Sequence, residues 1–141
     1  MNNLPCINVS FVISGKNIDF KQLNKAIDIL PTGTRGLDDW PKAIRNNLNL
    51  PEELRPRCEW SISQEMEVCK QIDIPINKIV EQLKGKEQKI FAFCEKNELK
   101  KSLSIAVHGE AINLPEVVLS SNIVSYFGKL EVEIGLDIYA Y

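Results

Sequence analysis

Three carboxylates near the end of the chain, Glu131, Glu133 and Asp137, are spaced two and four residues apart. In an extended strand such spacing puts them on one side, roughly 7 and 13 Å apart. The shorter separation would suit an acid–base pair, but that chemistry needs a pocket that shifts one pKa, and an open strand offers none. As metal ligands they lack a nearby partner to close the shell. The pattern therefore reads as a solvated acidic stripe. Tyr139 falls on the same side, so the stripe offers negative charge beside an aromatic ring, a combination suited to a basic protein partner.

Other reactive residue types are sparse. His108 is the one histidine, on the polar side of an expected strand, and a pairing with Cys6 or Cys58 stays open because distant strands can be neighbours in space. Cys6, Cys58, Cys69 and Cys94 form no CxxC and have no histidine at ligand spacing, so they read as small core residues. Arg35, Arg45, Arg55 and Arg57 could clamp a carboxylate or phosphate, although Asp38, Asp39, Glu52 and Glu53 lie among them to neutralise the charge. A phosphate loop, a dinucleotide fingerprint and a nucleophile elbow are all missing. The sequence therefore assigns no catalytic residue, no metal and no cofactor, and an enzyme is the poorer reading.

Composition narrows the class further. At 141 residues with 44% hydrophobic and 26% charged content, the chain suits one folded domain, residues 1–141, able to bury a core without disulfides or metals. A net charge of -2 argues against a nucleic-acid partner. No run approaches the roughly 20 apolar residues of a membrane helix. The opening MNNLPCINV has neither the basic nor the apolar region of a secretory leader, so a cytoplasmic protein is expected.

The elements that must position these residues follow from apolar periodicity. Residues 130–141, LEVEIGLDIYAY, alternate strictly, with Leu130, Val132, Ile134, Leu136, Ile138 and Ala140 on the oily side of a strand. Ile7, Val9, Phe11 and Ile13 alternate likewise in a strand ended by Gly15, as do Cys58, Trp60 and Ile62, and then Leu103, Ile105 and Val107 in a strand ending near Ile112. Trp60 reads as a core anchor. Asp19 with Gln22 makes a capping-box start for a helix whose stripe is Phe20, Leu23, Ile27 and Leu30, stopped by Pro31. Asp73 and Pro75 open another, with Ile76, Ile79, Val80 and Leu83 inward, and a helix over 86–97 carries Ile90, Phe93 and Cys94 inward. Ser120 caps a last helix bearing Ile123 and Phe127, with Gly128 as its stop. Between Pro31 and Pro56 the pattern breaks down, save for a short amphipathic turn at Trp40, Ile44 and Leu48. The order predicts an α+β fold, a two-layer sandwich with one four-stranded sheet and helices on one face.

In these elements the chain resembles a family of small, mostly bacterial proteins known as domain of unknown function 4279. The likeness rests on VSFVISG at 9–15, Pro31-Thr32 after the first helix, Trp60 in the second strand, and the ending Leu136-Asp137-Ile138-Tyr139. It covers most of the chain and implies a fold without an activity. The functional expectation is a non-enzymatic protein-binding module of the immunity or antitoxin kind, meeting a basic protein through Glu131, Glu133, Asp137 and Tyr139, with no nucleic-acid or membrane partner. The alternative is a small-anion sensor or minor enzyme using the 31–56 loop.

Overall fold

Burial alternates residue by residue along the central strand. In the computed structural model, Ile7, Val9, Phe11 and Ile13 are wholly buried, while Asn8, Ser10 and Val12 between them stay half-buried. Residues 4–141 are described; residues 1–3, where the stretch read for a leader begins, lie outside them. The chain runs β1 (Cys6–Gly15), α1 (Phe20–Ile27), β2 (Gly33–Arg35), α2 (Lys42–Arg45), β3 (Cys58–Val68), α3 (Asp73–Leu83), α4 (Glu87–Lys96), β4 (Lys100–Gly109), α5 (Ser121–Lys129) and β5 (Glu133–Ala140). The strands form one sheet in the order β2-β3-β1-β4-β5. Among the described strands, β4 and β5 are the one parallel pair, joined through α5.

The α+β reading holds, but among the described residues the sheet has five strands rather than four. The extra strand, β2, is three residues long and carries no hydrophobic alternation, since Gly33, Thr34 and Arg35 are set by pairing with Ser61, Trp60 and Glu59. One core joins Phe11, Trp60, Ile105 and their neighbours to Leu23 and Ile27 of α1, Ile76 and Ile79 of α3, Ile90 and Cys94 of α4, and Ile123 and Phe127 of α5. Trp60 is fully buried, and its indole Nε1 donates to Asn24 Oδ1 at 2.8 Å, tying β3 to α1.

Helix starts follow the expected caps. Asp19 accepts from the Gln22 amide at 3.1 Å, and Ser120 from that of Ile123 at 3.3 Å. The helix ends differ from expectation. Asp28, in the left-handed region at φ 55, closes α1 before Pro31, which leaves Leu30 84% exposed and outside the buried stripe. Gly128 does not stop α5, which runs on to Lys129. The chain then reverses at Glu131, φ 57, with its amide donating to Gly128 O at 3.0 Å and that of Val132 to Phe127 O at 2.9 Å. This is the Schellman pattern, sealed by contact-ready Val132 and Phe127, both buried. The end of α4 repeats it at Glu98, φ 54, with Leu99 donating to Cys94 O at 2.8 Å. Leu130 and Val132 thus belong to a turn, and β5 starts only at Glu133.

A glutamate at a left-handed position is strained where glycine is not. Replacing Glu131 by Gly is therefore expected to stabilise the fold by about 0.5–1 kcal/mol, read from the urea midpoint. β4 also ends earlier than expected, at Gly109, because a single 3-10 turn over Ala111–Asn113 follows and turns Ile112 outward.

Candidate functional site

The side of the sheet away from the helices is built from small polar residues. Ser63, Ser10, Ser104 and Gly135 lie in one row across β3, β1, β4 and β5, and Ser61, Val12, Ser102 and Glu133 in the next. Ser10 and Ser63 share a 2.8 Å hydrogen bond. The period of two that buries large aliphatic side chains on one face leaves these on the other, and apart from Val12 and Glu133 they are small and wettable.

Its functional groups gather at the β4–β5 end. Glu133, Asp137 and Tyr139 stand opposite Ser102, Ala106 and His108, and all three are exposed. Small neighbours leave the two carboxylates uncovered. Lys100 Nζ meets Glu133 Oε2 at 2.9 Å, whereas Asp137 has no cation in reach among the described residues. The Tyr139 ring stacks on His108 with centroids 4.5 Å apart and planes 10° from parallel. That contact holds the tyrosine ring as a ready aromatic platform beside the acids.

Glu131 does not belong to this line. The Schellman turn places it before β5 begins, so its spacing from Glu133 is not that of a strand. The expected oily side of β5 is also only partly covered: Ile134 is half-buried, but Leu136 is 41% and Ile138 48% exposed, because β5 is the sheet's outer strand.

The arginines are scattered among separate partners. Arg35 lies over the Trp40 ring at 3.7 Å, and Arg45 reaches Asp38 at 3.6 Å. Arg55 Nε donates to Leu50 O at 3.0 Å, and Arg57 Nε reaches Glu59 Oε1 at 3.2 Å. The Trp40 Nε1 donates to Arg57 O at 2.8 Å, so this region is fastened by tryptophan and backbone rather than left as an open loop. The expected turn reduces to α2 with Ile44; Leu48 is exposed beyond it.

Of the two cysteine–histidine pairings left open, the register brings Cys6 opposite His108 and buries Cys58 against Gly15 at the far end of β1. No hydrogen bond joins Cys6 to His108 among the described residues, and the imidazole is occupied by its stack on Tyr139. Cys58 and Cys94 are buried, as core residues should be, while Cys6 and Cys69 are half-buried. Burial pushes the Cys94 thiol from 9.0 up to about 11, partly opposed by the Lys101 ammonium. The unfolded chain would lose this proton first, so the folded state should lose stability as pH rises from about 9 through about 11. Urea midpoints across that range should fall further for wild type than for Cys94→Ala.

Sequence reasoning missed Lys100 and the His108–Tyr139 stack. Both depend on the parallel register of β4 with β5, which no local pattern announces. The alternating serines Ser10, Ser61, Ser63, Ser102 and Ser104 were the available sign of the open face.

A family described as a domain of unknown function (DUF4279) matches residues 5–141, essentially the whole chain. Among curated proteins and among solved structures, nothing matches.

Proposed function

The chain belongs to the DUF4279 family, and from its own surfaces we propose that it is a non-enzymatic protein-binding module whose partner is a basic protein. The observation that carries this reading is the exposed line of Glu133, Asp137 and Tyr139 on β5, with the tyrosine braced by His108. Negative charge accelerates encounter with a basic surface, and a braced aromatic ring supplies contact area at little entropic cost. The form we favour is an immunity or antitoxin protein that occludes the active site of a basic toxin in the cytoplasm. A face of mostly short side chains supports this, since few of them would have to move aside for a partner.

The arginine-clamp alternative gains no support from the geometry, because Arg35, Arg45, Arg55 and Arg57 are each engaged with a different group. The test is affinity capture from the native cytoplasm with wild type and with the Glu133→Lys/Asp137→Lys variant. A small basic protein retained by wild type and lost by the variant is expected. Equal capture by both would overturn the acidic docking surface.

A further inference from the structure

The two edges of the sheet are unlike. At one, β2 is only three residues long and runs straight into the fastened 37–57 segment. At the other, β5 pairs with β4 in unbroken parallel register from Glu133 to Ala140, and its outer side pairs with nothing among the described residues. Natural edge strands are usually blunted by charged side chains, a proline, a bulge or a covering segment. The sequence EIGLDIYA has no proline and its register has no shift, and its only charges, Glu133 and Asp137, are both acidic and both on one face, so they repel an acidic strand and not a basic one.

The Tyr141 amide donates to Gly109 O at 3.0 Å, and its carbonyl accepts from the Ala111 amide at 3.2 Å, so residue 141 points its backbone groups at β4. Backbone direction alternates along a strand. Ile134, Leu136, Ile138 and Ala140 therefore aim their N–H and C=O groups outward, a continuous ladder open to a further strand. The side chains flanking that ladder differ by face. Glu133, Asp137 and Tyr139 line the open face, while the half-buried Ile134 and the exposed Leu136 and Ile138 line the helix face.

We infer that β5 binds its partner by strand addition along this free edge, and that the added strand is amphipathic, with lysine or arginine alternating with aliphatic residues. Its basic side chains would stand beside Glu133 and Asp137, and its aliphatic ones would finish covering Leu136 and Ile138. A second copy of this chain fits less well, since residues 130–141 carry only negative charges and would set like against like. This inference rests on the basic-partner reading and specifies how that partner is held.

The probe is a synthetic peptide alternating lysine and valine, of the same length as β5, compared with a peptide of equal composition whose lysines and valines are grouped into two blocks. The full chain should bind the alternating peptide more tightly, with hydrogen-exchange protection at the amides of Ile134, Leu136 and Ile138. Leu136→Ala removes a side chain, whereas Leu136→Pro also removes an outward N–H without touching the ladder to β4. The proline variant should bind at least about fivefold more weakly than the alanine variant. Should Leu136→Pro fail to fold, alternate N-methylation of the peptide removes the facing donors instead and should abolish binding. Equal loss in the two variants, no preference for the alternating peptide, or undiminished binding of the methylated peptide would each overturn strand addition, and self-association of the chain along β5 would overturn the basic strand as its occupant. A partner that is captured by wild type, lost on charge reversal and indifferent to Leu136→Pro would leave the basic-partner reading standing without it.

Discussion

Replacing Trp60 by alanine is expected to cost about 3–5 kcal/mol, a large part of the roughly 5–15 kcal/mol that stabilises an ordinary domain. Trp60 is wholly buried in β3, opposite Ile13 of β1 and Thr34 of β2. Its removal would leave a cavity under α1 and strip the Asn24 side chain of its 2.8 Å partner. Trp60→Phe keeps much of the ring and loses the hydrogen bond, so its cost should be smaller, about 1–3 kcal/mol. Urea unfolding of both variants checks this. A loss below about 1 kcal/mol for Trp60→Ala would contradict the place of Trp60 in the core.

That placement was legible in the chain because burial on one side of a strand has a period of two. Ile7 to Ile13, Cys58 to Ile62 and Leu103 to Val107 show it plainly, and each is buried as the pattern predicts. The caps at Asp19 and Ser120 were legible for a similar reason, since one side-chain oxygen meets one amide three residues away. The differences arose where tertiary pairing overrides local pattern. Nothing in Gly33–Arg35 signals a strand, and β2 exists because β3 offers it an edge. The ends of α1 and α5 were misplaced because Asp28 and Glu131 adopt left-handed conformations usually given to glycine.

The site was legible in part. Alternation put Glu133, Asp137 and Tyr139 on one line, and they share the open face of β5. It also put Glu131 there, but the Schellman turn removes it, since the same residue cannot both reverse a helix end and extend a strand. The exposure of Leu136 and Ile138 depends on β5 being outermost, and strand order is a property of the whole chain. His108 became informative only once the parallel register brought it under Tyr139.

Reversing Glu133 and Asp137 to lysine should slow association with the captured basic partner roughly 10- to 100-fold at low salt, with a smaller effect at high salt where screening shortens the reach of the field. Both side chains are exposed, so the fold should survive the change. Glu131→Lys, carrying a charge of the same sign outside the β5 line, serves as the internal control and should slow association less. Equal rates for wild type and the double variant at low salt would remove electrostatic steering by this face.

The most direct test of the docking surface is the hydrogen-exchange footprint of the captured partner on the full chain. The account predicts protection concentrated in residues 133–140 of β5 and around His108 of β4, with residues 31–56 exchanging as in the free protein. Protection centred on residues 31–56, with β5 unchanged, would contradict it.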